Sequence, residues 1–263
     1  MDLGGTDLKQ SQEPFFSIVV LCYRAEEALV PFVTKLHRIL SLYNFSWEII
    51  LVANYLEGQQ DRTPEVVQNL AKALPHVKFV SELKDGMMGW DLRKGLDMAR
   101  GEYLGLIDGD GQFPIEAIFS CLSFIILEDL DLVKTYRTSR EDGLLRFSIS
   151  QVYNRLFSLL FGRISKDANS KPKIFKKSAY QSMNLTSDDW FIDAEIMIRA
   201  KELGLQIGEL PITFFSQRGR TSFVKMSAIV EFIRNLLGRY FMHRKFLKKK
   251  AYGKSRTPTP SST

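Results

Sequence analysis

Cysteine and histidine are scarce, with two cysteines and three histidines among 263 residues. Cys22 and Cys121 both lie in apolar runs, so we predict that they are reduced core residues of a cytosolic protein. Two such cysteines exclude a disulfide framework and a cysteine-based metal site. His37, His76 and His243 are scattered along the chain and lack the spacing of metal ligands.

Long apolar runs are absent as well. No segment reaches roughly 20 apolar residues, the length that crosses a bilayer as a helix, and the nearest candidate, residues 117–127, is typical of a buried helix. Residues 1–13 are polar and lack the apolar region of a signal peptide. Hydrophobic residues make up 45% and charged residues 25% of the chain, as in soluble globular proteins. We therefore predict one large domain in the cytoplasm, with a sizeable core.

Positive charge exceeds negative charge in only one part of the chain. The net charge is +6, but nine lysines and arginines and no acidic residue lie from Phe232 onward, so the rest of the chain carries −3. A basic tail on an acidic body argues against nucleic acid as a partner.

The basic region begins within an amphipathic pattern. Residues 224–247 combine a broad apolar stripe with flanking arginines and lysines, which predicts a C-terminal amphipathic helix. Such a helix is typical of peripheral contact with an anionic membrane surface, here on the cytoplasmic face. The alternative is a helix that packs on the body with a solvated basic end. We predict that residues 1–14 and 248–263 are disordered.

Between these ends, apolar β-rich runs alternate with segments of helical spacing. This alternation predicts an α/β domain over residues 15–223, with a mainly parallel sheet flanked by helices. The predicted strands are residues 15–21, 47–52, 77–80, 103–107, 131–136 and 206–215, with an edge strand at 173–175. The first predicted helix ends near residue 42, and the other predicted helices span residues 63–74, 87–99, 115–127, 144–161 and 192–203.

The fourth predicted strand ends in two carboxylates, Asp108 and Asp110, which are followed by Gln112. Residues two apart on an extended backbone point the same way, and open α/β sheets bind ligands at the carboxyl ends of their strands. Magnesium and manganese use one or two carboxylates together with substrate phosphates. The pattern predicts a divalent metal site, and the alternative is a solvated Asp–Gly turn.

Several motifs occur together in an informative order. The sequence DGDGQFP at residues 108–114 is similar to a DxDxQxP signature, and SIVVLCYRAE, WEIILV, WFIDAE and ELPI occur at residues 17–26, 47–52, 190–195 and 209–212. Their order and spacing over residues 15–241 resemble glycosyltransferase family 2, which has the GT-A fold. Within this family the chain is similar to the dolichyl- and polyprenyl-phosphate sugar synthases.

The resemblance implies an inverting transfer of a sugar from a GDP- or UDP-sugar to a polyprenyl or dolichyl phosphate. Asp108, Asp110 and Gln112 would hold Mg²⁺ or Mn²⁺ against the donor diphosphate and neutralise the leaving group. One alternative is a sugar-hydroxyl acceptor in polysaccharide or glycolipid synthesis. Another is a catalytically silent GT-A-like binding domain. A nucleotidyltransferase would need a glycine-rich phosphate loop after the first strand, which this sequence lacks.

The resemblance also implies where the nucleotide lies. Tyr23, Ala25 and Glu26 follow the first strand and would contact the nucleotide; Glu26 would bond ribose hydroxyls or act as a carboxylate at a helix N-terminus. Relatives carry one or two aspartates after the second strand, where this chain has Ala53 and Asn54. The amide of Asn54 could replace that carboxylate, and the identity of the base stays open.

Arginines are the expected phosphate ligands. Arg137 follows the fifth predicted strand and would face the donor or acceptor phosphate, and the alternative is a surface arginine. Arg218, Arg220 and Ser222 belong to a late basic loop that relatives use on phosphates. The alternative for that loop is a solvated turn.

Two further carboxylates bear on the acceptor. Asp193 and Glu195 are two apart at a predicted helix start, so they do not share one face; one would line the site while the other caps. In relatives with hydroxyl acceptors, a carboxylate here is the general base. A phosphate acceptor is already anionic and needs little or no base, so these two residues help to distinguish the acceptor classes.

Overall fold

The computed structural model describes residues 13–140, 144–215 and 236–238. The strands are β1 (Phe16–Leu21), β2 (Trp47–Val52), β3 (Val77–Val80), β4 (Tyr103–Asp108), β5 (Leu132–Arg140), β6 (Lys173–Lys176) and β7 (Ile207–Phe214). The helices are α1 (Leu29–Leu40), α2 (Thr63–Ala73), α3 (Met88–Met98), α4 (Glu116–Leu127), α5 (Leu144–Phe161), α6 (Lys177–Met183) and α7 (Ile192–Leu203), with a short 3-10 helix at Glu26–Ala28 before α1.

All seven strands form one sheet in the order β3-β2-β1-β4-β6-β5-β7. The pairings are parallel except for those of β6, which runs antiparallel to both β4 and β5. The predicted α/β class with a mainly parallel sheet is therefore confirmed. The bounds predicted for β2, β3, α5 and α7 agree with the structure, whereas β5 extends to Arg140 and α6 was not predicted.

The prediction of an edge strand at residues 173–175 is wrong, because β6 lies between two other strands. Its lysines resemble those of a solvated edge, but Lys173 is buried and pairs with a buried carboxylate. The strand at this edge of the sheet is β7, which contains Pro211. Proline has no backbone N–H, so an edge strand accommodates it more readily than a central strand does.

The sheet is covered on both faces, which explains why β1 and β2 are almost continuously apolar. Side chains alternate between faces, so Ile18 and Val20 pack with α1 and α4, whereas Val19 packs with α3 and α7. Cys22 and Cys121 are buried free thiols, as predicted. Burial raises the pKa of the Cys121 thiol to about 12.

The strand register brings the functional segments to one edge. Leu21 of β1 lies beside Val52 of β2 and beside Asp108 of β4. Three strands therefore stop at the same level, and the loops that follow them meet at the carboxyl edge of the sheet. Because β6 is antiparallel to both of its neighbours, β5 runs in the same direction as β4 and also ends at this edge.

The C-terminal predictions fall mainly outside the described residues. Within the predicted helix at 224–247, residues 236–238 are described and are helical. Leu236 is fully buried in the core cluster that contains α3 and α7. The predicted membrane contact and the predicted disorder of residues 248–263 lie outside the described part of the chain and remain predictions. The predicted disorder of residues 1–14 likewise remains a prediction for residues 1–12, whereas Glu13 and Pro14 belong to the described part.

Gly95 allows α3 to approach the sheet closely, which generates a first prediction. A Cβ at this position would overlap the side chains of Val19 and Val52. Gly95→Ala should destabilise the protein by up to about 2 kcal/mol in urea unfolding, because an overpacking cost of about 1–3 kcal/mol is only partly offset by the helix preference of alanine, about 1 kcal/mol. Gly238→Ala is the matched control, since no described atom lies within 4 Å of a Cβ there. Equal effects of the two substitutions would contradict the close approach.

Candidate active site

The acidic pair lies on a tight loop at the end of β4. Asp108 is the last residue of the strand, and the carboxylate of Asp110 accepts the backbone N–H of Gln112 at 3.0 Å. Gly109 separates the two aspartates, and a Cβ there would lie 2.8 Å from Leu29 Cδ1. A side chain at this position would therefore push the acidic loop away from the core.

Gln112 joins this loop to the far edge of the sheet. Its carbonyl accepts the N–H of Phe215 at 3.0 Å, and its side-chain Nε2 donates to the carbonyl of Phe215 at 3.2 Å. Glutamine ligates a cation through its amide oxygen, whereas the atom used here is the amide nitrogen. Gln112 therefore supports the segment at the end of β7 through its amide nitrogen, and its predicted role as a metal ligand remains a prediction.

The acidic pair suits a divalent ion that arrives with its substrate. The described residues contain no group of three histidine, cysteine or acidic side chains that could enclose a metal. Asp108 is 25% exposed at its side chain, and Asp110 is half-buried. Two carboxylates on an accessible loop fit Mg²⁺ or Mn²⁺ whose other ligands are water and substrate phosphates.

Lys171 reaches this site from the segment just before β6 and was not identified from the sequence. The antiparallel pairing of β6 with β4 ends at Lys173 and Leu106, so Lys171 lies next to the end of β4. The Lys171 Nζ lies 3.3 Å from Asp108 Oδ2 and 3.3 Å from Asp193 Oδ2. Burial alone would lower the pKa of Lys171, but the charges of Asp108 and Asp193 outweigh it and raise the pKa above its ordinary value.

Asp193 is the buried carboxylate that pairs with Lys171. Its side chain is 2% exposed and forms ion pairs with both Lys171 and Lys173. Burial raises the pKa of Asp193, but the two lysines outweigh that effect and hold the pKa below its usual value. Burial, together with repulsion from the neighbouring lysines, lowers the pKa of Lys173 to about 8 despite the attraction of Asp193. Asp193 therefore stays a charged counter-ion.

Glu195 faces a different set of partners. Its carboxylate accepts the hydroxyl of Thr186 at 2.9 Å and the backbone N–H of Ser187 at 2.8 Å. The same loop contacts the start of α3, where Gly89 donates its N–H to the carbonyl of Asp189 at 3.1 Å. Glu195 thus orders the loop before α7, while Asp193 points toward Asp108.

Asn54, at the end of β2, is enclosed in a hydrogen-bond network. Its Nδ2 donates to Asp91 at 2.9 Å, and its Oδ1 accepts the backbone N–H of Glu82 at 2.8 Å. Asp91 is also ion-paired with Lys84, whose Nζ lies 4.3 Å from the ring centroid of Tyr23. An aspartate at position 54 would face the carboxylate of Asp91, which gives a physical reason for the amide.

The loop after β1 is held by the start of α2. Ala25 is buried, and Glu26 has a positive φ of 46°. The Glu26 N–H donates to the hydroxyl of Thr63 at 3.0 Å, and Asp61 accepts the backbone N–H of Thr63 at 3.0 Å. Tyr23 and Glu26 are half-buried at the carboxyl edge of the sheet.

Arg137 is bound by a carboxylate that the sequence analysis did not identify. Its Nε lies 2.6 Å and its Nη2 2.8 Å from the two oxygens of Asp167. Burial raises the pKa of Asp167, but the guanidinium outweighs burial and holds the pKa far below its ordinary value. Arg218, Arg220 and Ser222 lie outside the described residues, so their predicted roles remain predictions.

The residues missed by the sequence analysis share a recognisable context. Asp167 and Lys171 belong to a polar segment between α5 and β6, and Lys173 is the first residue of β6. Lys171 and Lys173 are two apart next to an apolar strand, a spacing that places both side chains on one face. That spacing was a usable signal, but the carboxylates that receive the lysines come from β4 and α7.

The sheet order and the acidic strand end define the GT-A class, and solved structures share this fold. Mannosyl-3-phosphoglycerate synthase from Rubrobacter xylanophilus matches with a TM-score of 0.70 and 16% identity, over 88% of this chain and 75% of that chain. Glucosyl-3-phosphoglycerate synthase from Mycobacterium tuberculosis, solved with Mn²⁺, UDP and glucosyl-3-phosphoglycerate, matches with a TM-score of 0.63 and 17% identity, over 88% and 80%.

Residues 17–190 match the sequence family described as Glycosyl transferase family 2, and the chain belongs to this family. A dolichyl-phosphate beta-glucosyltransferase from Trichomonas vaginalis is 27% identical, over 88% of this chain and 74% of that protein. A dodecaprenyl-phosphate galacturonate synthase from Rhizobium johnstonii is 28% identical, over 92% and 70%. None of the helices described here is both long and apolar enough to span a membrane.

Asn54→Asp tests the amide network at the end of β2. The new carboxylate would face Asp91 in a buried site, so the variant should lose about 3 kcal/mol of stability. Repulsion raises the pKa of such a pair, so the loss should be greater at about pH 8 than at about pH 5. Asn54→Ala is the control, and because it removes one hydrogen bond to Asp91 without adding a charge, its loss should vary less with pH over this range. Chemical unfolding at both pH values measures the difference, and equal pH dependence of the two variants would contradict the network.

Asp167→Asn tests the ion pair with Arg137. The substitution leaves a mostly buried guanidinium without its carboxylate, so the protein should lose about 3 kcal/mol of stability at neutral pH. The folded-state pKa of Asp167 is depressed, so its contribution is present above the unfolded pKa of about 3.9 and is lost as pH falls toward the folded value. The stability gap between wild type and variant should therefore narrow below about pH 4. A gap that stays constant there would contradict a charged pair.

Proposed function

We propose that this protein is an inverting glycosyltransferase that moves a sugar from a nucleotide-diphosphate sugar to a polyprenyl or dolichyl phosphate. The observation that carries the choice of acceptor is the burial of Asp193 between Lys171 and Lys173. Glu195 is occupied by the backbone of the preceding loop. Neither carboxylate is placed to remove a proton from a hydroxyl acceptor. An acceptor that is already anionic fits this site.

The relatives support the same acceptor class. Both curated relatives described above are named for sugar transfer to a lipid phosphate, one dolichyl and one dodecaprenyl. Together they match about nine-tenths of this chain, including both sides of the acidic loop. We propose that this chain uses a lipid of the same chemical class.

The reaction needs one bond to form and one to break. A phosphate oxygen of the acceptor attacks the anomeric carbon of the donor sugar, the bond from that carbon to the diphosphate oxygen breaks, and the nucleoside diphosphate leaves. A phosphate monoester is largely ionised at neutral pH, since its second pKa is about 6, so no protein base is required. Asp108 and Asp110 would hold a divalent ion, either Mg²⁺ or Mn²⁺, which would supply positive charge to neutralise the departing diphosphate.

The other predicted contacts are proposals within this function. Tyr23, Ala25 and Glu26 lie at the carboxyl edge of the sheet, where the donor nucleotide would bind. Asn54 acts there by holding the neighbouring loops through Glu82 and Asp91. Arg137 would reach a phosphate only through N–H groups that Asp167 does not use.

A transfer assay with matched acceptors tests the proposal. The protein is incubated with Mn²⁺ and a panel of UDP- and GDP-sugars, with either a polyprenyl phosphate or the corresponding polyprenol. Sugar should transfer to the phosphate and not to the alcohol, because the site supplies no base. Asp110→Asn should reduce kcat roughly 100-fold or more, since stabilisation of the leaving group is lost.

Two results would overturn the proposal. Transfer to a polyprenol or a glycan hydroxyl, with the lipid phosphate inert, would assign a hydroxyl acceptor and a base elsewhere. Absence of any saturable UDP or GDP binding with Mn²⁺, measured by calorimetry on folded protein, would assign a silent GT-A-like domain.

A further inference from the structure

The first carboxylate of the acidic pair already has a cation beside it. Lys171 Nζ lies 3.3 Å from Asp108 Oδ2, within ion-pair distance, on the same carboxylate that would ligate the metal. Lys171 is 2% exposed, so its ammonium cannot turn out to solvent without displacing its neighbours. The carboxylate of Asp193 and the sulfur of Met88, 3.5 Å away, surround it further.

We propose that Lys171 is a positioning residue that takes the place of the metal at Asp108 before the donor binds and makes metal binding depend on the donor diphosphate. This inference rests on the proposed function, because it requires that Asp108 and Asp110 bind a metal with the diphosphate. Lys171 keeps Asp108 in its place before substrate arrives, so the acidic loop needs no bound metal to be ordered.

The local charges explain the dependence. Asp108, Asp110 and Asp193 carry three negative charges, and Lys171 and Lys173 carry two positive charges, so this group has a net charge of −1. A free dication is weakly attracted to such a group and is repelled by the ammonium next to its ligand. A diphosphate adds negative charge at the same place, so the dication should bind much more tightly in its presence.

The second buried lysine provides a matched control. Lys173 shares with Lys171 its strand region, its burial and its partner Asp193. Its other hydrogen bond goes to the carbonyl of Ser170, at 2.9 Å, rather than to Asp108. Removing either lysine removes one positive charge, but only the removal of Lys171 frees the carboxylate of Asp108 from an ammonium.

The experiment measures Mn²⁺ binding by electron paramagnetic resonance, with and without UDP or GDP. The proteins are wild type, Lys171→Gln, Lys171→Arg and Lys173→Gln, each checked for folding by its melting temperature. Lys171→Gln should bind Mn²⁺ alone about ten-fold or more tightly than wild type, because repulsion at Asp108 is removed. Lys171→Arg should resemble wild type, and Lys173→Gln should change the affinity by less than about three-fold.

The coupling between ligands is the second readout. In wild type, UDP or GDP should raise the Mn²⁺ affinity, and by linkage Mn²⁺ should raise the nucleotide affinity by the same factor. This factor should be smaller in Lys171→Gln, because free Mn²⁺ already binds well. The wild-type coupling needs no variant, so its absence would overturn the inference even if Lys171→Gln does not fold.

The outcomes separate this inference from the proposed function. If wild type binds Mn²⁺ with the nucleotide but Lys171→Gln binds free Mn²⁺ no more tightly, the inference is wrong and the proposed function stands. A wild-type Mn²⁺ affinity that does not respond to UDP or GDP also overturns the inference. If no protein binds Mn²⁺ even with nucleotide, both the inference and the proposed metal site are wrong.

Discussion

The ion-pair chain from Asp108 through Lys171 to Asp193 joins three parts of the chain that are distant in sequence: β4, the segment just before β6, and α7. A buried charge without a partner costs several kcal/mol, so each member of the chain requires the others. This requirement fixes the acidic loop at the carboxyl edge of the sheet. Because Asp193 is paired with two lysines, it is not placed to act as a base, and this geometry favours an acceptor that is already anionic.

The same need of buried charges for a partner explains why charged side chains are buried on β5 and β6. Lys134 is fully buried on β5 and donates to the carbonyl of Thr135 at 2.6 Å and to Ser165 at 3.3 Å. Beside it, Arg137 and Asp167 form a two-pronged pair. Because each buried cation has a partner, β6 can occupy a central position although its sequence resembles that of a solvated edge.

The sequence allowed prediction of the features that depend on local pattern. The alternation of apolar runs predicts the strands, and the abrupt end of one run locates Asp108 and Asp110. Parallel register then brings the loop of Tyr23 and the position of Asn54 to the same edge, because Leu21, Val52 and Asp108 are neighbours.

Features that depend on pairing between distant segments were not predictable in this way. A lysine such as Lys171, considered alone, has the pattern of a surface residue, and only the antiparallel insertion of β6 beside β4 brings it within ion-pair distance of Asp108. The amide at Asn54 is a departure from the family pattern in sequence, but it is explained once α3 places Asp91 against it. Partners from other elements decide these roles, and a single sequence does not specify which elements meet.

The central claim is that Asp108 and Asp110 hold a divalent ion against the diphosphate of a nucleotide donor. Phosphorus NMR relaxation of UDP and GDP, recorded with Mn²⁺ and the protein, tests it directly, because a directly coordinated paramagnetic ion strongly relaxes the phosphorus nuclei. The account predicts strong relaxation of both phosphorus signals with wild type, and its loss in the double variant Asp108→Asn, Asp110→Asn. Undiminished relaxation in that folded variant, or none with wild type for either nucleotide, would contradict the claim.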